Sequence, residues 1–304
     1  MLRVDWHRLK GYAPLCFITL GIVLWRVTAP FAVILPWIIS AMLFFAVLNM
    51  PLRAVAPRPK HLVLLALHLG LGGGLYLLLS LWNPLIATSL FMCFIAPAAT
   101  AAGAMTSLME GDTGFATGYT ILTHGLICFL APFLLPLLDD HSQLPFWTLS
   151  GQIALLVARM VILPITLAWL VRYLMKRRGR TPGPHRTLTY WLWLSSLIFI
   201  LGKAVAFVSE EGGGNPLLLV ASFGVGFLAC ALQFTLGPPL SRWIGVEEVA
   251  CRQAMGQKNT ALTLWLCISF MHPLVAPGIA GYIAWQNFFL TYYMNRYLRQ
   301  STRS

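Results

Sequence analysis

The stretch AMGQKNTAL, residues 254–262, interrupts an apolar segment of the chain with small and polar residues, among them Lys258. The segment around it, residues 248 to 270, has the length of about 20 residues that a helix needs to cross a membrane. A lysine at the centre of such a helix costs about 2.5 to 3.5 kcal/mol on insertion scales and usually faces the protein interior or a water-filled cavity. The stretch therefore predicts a site at membrane depth. The alternative is a lysine whose long stem carries its charge to the surface.

The composition of the whole chain agrees with a membrane location for this segment. Hydrophobic residues make up 58% of the 304 positions and charged residues 10%, with a mean hydropathy of +0.76, whereas roughly a quarter of the residues of a soluble domain are charged. The net charge of +12 comes from basic residues in short loops between apolar runs, which excludes a nucleic-acid partner in favour of membrane orientation. The six cysteines show no CxxC spacing, so neither a disulfide framework nor a metal site is indicated. The composition predicts an all-α, polytopic protein whose partner is the lipid bilayer, without a cofactor.

Ten segments are long and apolar enough to be predicted as transmembrane helices. They cover residues 12–26, 30–50, 62–82, 85–109, 113–138, 148–175, 187–208, 216–240, 248–270 and 273–297. The first is short. It resembles a signal peptide, but no small-residue cleavage site precedes the next run, so we expect a retained span.

The basic residues of the connections predict how these spans are oriented, because lysine and arginine accumulate on the cytoplasmic side. With ten spans, one side receives Arg3, Arg8, Lys10, Arg53, Arg58, Lys60, Lys176, Arg177, Arg178, Arg180, Arg186, Arg299 and Arg303. The other side receives Asp139, Asp140, Glu210 and Glu211, and Arg26 beside the first span. We therefore expect both termini in the cytoplasm. Only a short segment precedes the first run, which favours a bacterial inner membrane.

Ten spans form two halves of five, and the odd number makes the second half run inverted relative to the first. In secondary transporters of this topology the site lies where Gly- or Pro-interrupted helices at corresponding positions of both halves meet. The fourth span contains IAPAATAAGAMTS, residues 95–107, and the ninth contains the opening stretch. Broken helices at membrane depth survive only when buried in protein or lining a wet cavity, and their half-helix starts can hold anions. The alternative is an ordinary kink at Pro97 with close packing of small residues.

At these two segments the chain resembles the bile acid:sodium symporter family, and the resemblance extends loosely over all ten spans. The family's Pro-Gly-Gly-Thr-Ala-Ser-Asn corresponds to residues 97–103, its following Gly-Asp to Gly111-Asp112, and its Glu-x-Gly-x-Gln-Asn-Ser-Ala-Leu to residues 254–262. Trp285-Gln286-Asn287 stands where the family often has Trp-His-Asn. The combination is specific, whereas each piece alone is weak.

The resemblance implies a single transporter domain in which spans four and nine unwind and cross. A core subdomain of about residues 62–138 and 216–297 would move against a panel subdomain of about 12–50 and 148–208. The transported substrates of the family are organic anions, from carboxylates to bile acids, usually taken up with sodium. The substrate-binding positions implied are Ala99, Thr100, Ala101, Gly103, Gln257, Lys258, Asn259, Thr260, Gln286 and Asn287.

The chain departs from the family at the sodium ligands. Their equivalents here are His68, Ala102, Ala116, Thr120, Ala254, Met255 and Lys258. Sodium needs hard oxygen ligands, yet the carboxylate position is Ala254 and only Thr120 keeps a matching hydroxyl. We therefore predict that Lys258 replaces the bound cation and that transport is sodium-independent, coupled to nothing unless Lys258 releases its proton.

Other intramembrane residues and other protein classes leave alternatives open. Arg159 and Lys203 suit an anion pathway, or bond the carbonyls of a broken neighbour, and His124 is more often an interhelical hydrogen-bond partner than a switch. An enzyme of this class needs paired carboxylates, a metal cluster or an activated nucleophile, and the predicted spans offer none. A sodium-coupled symporter with altered ligands, and a sensor or channel without transport, stay open. The sequence indicates neither the substrate nor the oligomeric state.

Overall fold

The computed structural model describes residues 6–48, 58–138, 144–183, 186–211 and 216–301. Within these ranges the chain forms fourteen α-helices. They are α1 Trp6–Val23, α2 Trp25–Thr28, α3 Leu35–Leu48, α4 Pro59–Ser80, α5 Pro84–Ile95, α6 Ala102–Leu108, α7 Thr113–Leu138, α8 Phe146–Val157, α9 Leu163–Arg177, α10 Arg186–Glu211, α11 Pro216–Ile244, α12 Glu248–Gly256, α13 Thr260–Phe270 and α14 Ala276–Ser301. A 3₁₀ turn (Ala29–Ile34) joins α2 to α3, a π turn (Ala158–Ile162) joins α8 to α9, and a 3₁₀ turn (Pro273–Val275) precedes α14.

Six of the helical segments are long and apolar enough to cross a membrane. They are Trp25–Leu48, Pro59–Ser80, Thr113–Leu138, Phe146–Arg177, Thr187–Glu210 and Pro216–Ile244. Large apolar side chains on their outer faces and turns, such as Trp37, Leu81 and Leu217, are at least two-thirds exposed, which is typical of a surface that contacts lipid rather than water. The architecture is that of an all-helical protein compatible with several membrane crossings.

The remaining apolar helices are shorter, and two of them lie where the sequence predicts interruptions. Apolar stretches of 10–17 residues are Ala13–Val23, Pro84–Ile95 and Thr260–Phe270; the last two belong to the predicted fourth and ninth spans. The ten-span inverted repeat itself stays a prediction. Its orientation depends partly on Arg3, Arg53, Asp139, Asp140 and Arg303, which lie outside the described residues.

The helices pack in two groups around an extended apolar core. In one group α1 and α3 pack on α10, and α9 packs on α3; in the other, α4 packs on α5, and α11 lies against α5, α12 and α14. In the second group α11 and α14 approach closely: a side chain at Gly226 would lie 2.1 Å from the carbonyl oxygen of Gly278. The absence of a side chain at Gly226 therefore fixes the distance between these two helices.

The turns before α7 and α12 are tied together at one end of the molecule. The Glu247 carboxylate accepts hydrogen bonds from Val249 N and Ala250 N at the start of α12, and from Asp112 N at 3.2 Å. Asp112 in turn accepts from Phe115 N at 2.9 Å and pairs with the Arg58 guanidinium at 2.9 Å. The acidic caps Asp112 and Glu247 thus link α7, which follows the first broken helix, to α12, which begins the second.

We expect Gly226→Ala to lower the free energy of unfolding by about 1 to 3 kcal/mol, the usual effect of overpacking. The added methyl group must push α14 away from α11, because it meets backbone rather than a flexible side chain. Gly224→Ala on the same helix is the matched control: a methyl group there meets nothing within 4 Å, and alanine favours the helix by about 1 kcal/mol. Thermal unfolding of both variants in detergent measures the contrast, and equal melting temperatures would contradict it.

The Asp112 link predicts a loss of stability in acid. Partial burial opposes ionisation of this carboxyl, yet hydrogen bonding from Phe115 N and the charge of Arg58 hold its pKa below the usual 3.8. A group whose pKa is lowered by folding stabilises the protein above its unfolded pKa and loses that effect as the pH falls through the folded value. Both partners are more than a third exposed, so the effect should not exceed about 1 kcal/mol.

The measurement is the difference in melting temperature between the wild type and Asp112→Asn across acidic and neutral pH. We expect the wild type to be more stable near neutral pH and the difference to vanish in acid. A difference that is independent of pH would show that the charge of Asp112 is not involved.

Candidate functional site

The two broken helices meet at their breaks. The first break, residues 96–101, separates α5 from α6, and the second, residues 257–259, separates α12 from α13. Ala98 and Lys258 form an antiparallel β-bridge, in which Ala99 N donates to Gln257 O at 2.8 Å and Asn259 N donates to Pro97 O at 2.7 Å. We call these two breaks the crossover. The backbone N–H and C=O groups freed by one break are hydrogen-bonded by the other, so they are not left unpaired at membrane depth.

Local sequence explains why the helices break and restart here. Pro97 has no N–H and forces the preceding residue into an extended conformation, which Ala96 adopts with ψ of 128°. The second break is closed by Asn259, whose side-chain oxygen accepts from Leu262 N and so caps α13. Proline thus ends one half-helix, and asparagine begins the other.

Side chains of α7 and α14 hold the crossover in place. Thr123 Oγ1 accepts from Ala98 N at 3.0 Å, and Thr120 Oγ1 donates to Ala99 O at 3.2 Å. From α14, Gln286 Oε1 accepts from Lys258 N at 2.6 Å. Since the freed backbone groups have partners on neighbouring helices as well, the extended segments are fixed in one conformation.

The Lys258 ammonium is enclosed at the crossover. Its Nζ lies 3.3 Å from Phe94 O, 3.1 Å from Ala96 O and 3.0 Å from His68 Nε2. Three acceptors match the three N–H groups of an ammonium. Lys258 is 2% exposed and is the only Lys, Arg, Asp or Glu among the buried polar side chains of the described ranges. The geometry rules out the alternative in which its charge reaches the surface.

The charge of Lys258 is stabilised by backbone rather than by an acidic partner. Phe94 lies in the last turn of α5 and Ala96 caps that helix, and carbonyls at a helix C-terminus carry a partial negative charge that favours cations. The corresponding end of α12 receives a neutral donor instead, because Tyr282 OH donates to Gly256 O at 2.8 Å. Only the first of the two half-helix ends therefore holds a cationic group.

His68 connects Lys258 to a third buried residue. While Nε2 faces Lys258, Nδ1 lies 3.1 Å from the hydroxyl of Tyr119 on α7. His68 is 2% exposed and Tyr119 is fully buried. The three side chains form a hydrogen-bonded row from the crossover to α7.

The crossover contains most of the predicted substrate positions. Ala99, Thr100 and Ala101 lie in its first break, Gln257, Lys258 and Asn259 form its second, and Thr260 begins α13. Gln286 contacts it through Lys258 N. Asn287 is involved differently: its side chain donates to Ile283 O of its own helix at 2.7 Å.

The positions equivalent to the family's sodium ligands separate into polar and apolar groups. Ala116, Ala254 and Met255 are fully buried in an apolar cluster that also contains Tyr119. Ala102 and Gly103 lie in the first turn of α6, where a side chain at Gly103 would collide with Thr117 Oγ1, so this glycine serves packing. His68, Thr120 and Lys258 are the polar residues of the set, and His68 and Lys258 touch each other.

The other intramembrane residues singled out from the sequence have distinct surroundings. Asn259 Nδ2 lies 3.1 Å from His124 Nε2, whose other ring nitrogen lies 2.8 Å from Thr120 O, so His124 is an interhelical hydrogen-bond partner. Arg159 is exposed in the π turn between α8 and α9, and Lys203 is half-buried in α10. Sequence reasoning missed Tyr119, Thr123 and the carbonyls of Phe94 and Ala96. The last two follow from Pro97, because a helix that ends at a proline leaves its final carbonyls free.

Comparison with known proteins finds no family model and no curated protein that matches this chain. Its function is therefore argued from the crossover and its electrostatics.

We expect Lys258→Ala to lower the free energy of unfolding by about 2 to 4 kcal/mol, because two buried carbonyls and His68 lose their partner. The exposed Lys176→Ala, which removes the same side chain from the end of α9, should change it by less than about 0.5 kcal/mol. Thermal unfolding in detergent compares them. A Lys258→Ala protein as stable as the Lys176→Ala control would show that the carbonyls of the break find other partners.

Proposed function

We propose that the protein is a secondary transporter of organic anions, similar to the bile acid:sodium symporters, in which Lys258 replaces the coupling cation. The observation that carries the proposal is the Lys258 ammonium held by Phe94 O and Ala96 O at the crossover. In transporters with broken helices, unwound carbonyls and half-helix C-termini coordinate the coupling sodium or proton. Lys258 supplies a cation to such a set from the protein itself.

An ammonium held between these carbonyls argues against sodium at the same position. Two positive charges a few Å apart repel strongly away from bulk water, and Ala116, Ala254 and Met255 offer no side-chain oxygen nearby. Sodium-independent transport is the consequence.

The electrostatics favour an anionic substrate. Arg159 is a second cationic residue in a predicted span. It is exposed near the middle of the long Phe146–Arg177 segment. A guanidinium at that depth of a bilayer usually faces the protein interior or a water-filled cavity. The capped start of α13 adds N–H groups and a positive helix end beside Lys258. Cationic groups thus line the proposed pathway.

The packing of the helices suits alternating access. In the proposal, the group of α1, α3, α9 and α10 is the panel, and the group that carries the crossover is the core. The membrane is a bacterial inner membrane with both termini in the cytoplasm. Movement of one group against the other exposes the crossover first to one side and then to the other.

The test is uptake into proteoliposomes made with the full-length protein, using taurocholate, succinate and benzoate as probes. We expect at least one probe to be taken up saturably, at equal rates in sodium and in choline buffers. Lys258→Ala should lower the initial rate at least about tenfold, a loss of about 1.4 kcal/mol of transition-state stabilisation, whereas Lys176→Ala should leave it unchanged.

Strict sodium dependence would overturn the replacement of the cation and favour a symporter with altered ligands. If no probe is taken up and none raises the melting temperature, the result favours a sensor or channel without transport.

A further inference from the structure

We propose that Lys258 and His68 together form a proton-binding site, and that its proton is exchanged with water during each transport cycle, so that the anion moves together with a proton. The inference rests on the proposed transport function and assigns its coupling ion.

The pair of Lys258 and His68 is fully hydrogen-bonded when it carries the proton. The ammonium then donates to Phe94 O, Ala96 O and His68 Nε2, the three acceptors around Nζ. Neutral His68 carries its hydrogen on Nδ1 and donates it to the Tyr119 oxygen. Every N–H of Lys258 and His68 has an acceptor, so the charged form is satisfied without an acidic partner.

The pair is equally complete after the proton has left. The Lys258 amine keeps two N–H groups for Phe94 O and Ala96 O, and its lone pair accepts from His68 Nε2–H. His68 Nδ1 then accepts from the Tyr119 hydroxyl. The balance is one proton: Lys258 passes one to Nε2, Nδ1 passes one to the Tyr119 oxygen, and Tyr119, which is fully buried here, releases its own when the conformational change of the transport cycle opens the row to water.

A permanently charged Lys258 would not require a partner that can both accept and donate a hydrogen bond. A lysine that only fills a cation site needs carbonyls, and Phe94 and Ala96 supply them. It does not need a histidine that can both accept from it and donate to it, with a hydroxyl on the far side. Because an unpaired buried donor or acceptor is costly, a lysine–histidine pair that is satisfied in both protonation states lets the proton leave without that penalty.

No acidic or arginine side chain fixes the charge of the pair among the buried residues of the described ranges. The other titratable groups that face it have partners or apolar surroundings. On α5, Cys93 Sγ donates to Ser89 O; on α14, Tyr282 OH donates to Gly256 O. Further groups are His124 on α7, bonded to Thr120 O, Cys251 on α12, in the apolar cluster, and Cys230 on α11, in the main core.

The position of the row suits coupling to conformational change. His68 belongs to α4, Tyr119 to α7 and Lys258 to the second break, so the proton is held by three different elements beside the predicted substrate positions. For a monoanion, the accompanying proton makes each transport step electrically neutral.

The first test detects the proton directly and needs no substrate. The full-length protein is labelled with ¹⁵N at lysine Nζ in detergent; the chain has five lysines, and the Lys258 signal is the one absent from Lys258→Arg. We expect that signal to move from its ammonium to its amine position as the pH is raised. His68→Gln, whose amide can accept from or donate to Lys258 but cannot pass a proton on to Tyr119, should slow the exchange of the Lys258 proton with water.

The second test measures coupling, with the probe that is taken up in the proteoliposome assay. An inside-alkaline gradient of about one pH unit should drive about tenfold accumulation of a monoanion if one proton accompanies it. His68→Gln and Lys258→Arg should lose this accumulation.

The outcomes separate the two proposals. A Lys258 signal that stays at its ammonium position as the pH is raised overturns the proton site, whatever the transport assay shows. Uptake that ignores the pH gradient overturns coupling but leaves anion transport standing. Absence of all uptake overturns the transport function, while the titration still decides the proton site.

Discussion

The pairing of two broken helices through Ala98 and Lys258 is the interaction on which the rest of the structure depends. Each break frees backbone groups that no lipid can satisfy, and the two extended segments satisfy one another. Thr120, Thr123 and Gln286 complete the partners from helices on either side. Neither break would be stable alone, so the two halves of the chain have to come together for either to form.

Once the crossover exists, its electrostatics follow from helix geometry. The C-terminal carbonyls of α5 are left facing inward and need a donor, and Lys258 provides one within the same paired segment. The residue therefore acts twice: its backbone closes the bridge, and its ammonium closes the end of the half-helix. His68 and Tyr119 extend this arrangement to α4 and α7, which places a titratable pair beside the point where the segments meet.

The sequence was most informative where local chemistry decides the structure. Pro97 and the polar run at 254–262 predict the two breaks, and both are present, because proline ends a helix and asparagine restarts one irrespective of distant contacts. The partner of the buried lysine follows less directly from the sequence. His68 was aligned with an ion-ligand position only loosely, and Tyr119 was missed, since contacts between α4, α7 and α12 depend on packing that no local pattern encodes. Gly103, predicted as a binding position, packs closely against Thr117, and its role in binding stays a prediction.

The internal cation also has a consequence for how the protein is made. A crossover built around a bound ion is complete only when that ion is present, so its folding follows the ionic composition of its surroundings. Here the donor is synthesised with the chain and arrives with the segment that it stabilises. In the proposed function, the broken helices therefore assemble in the membrane whatever salts lie on either side.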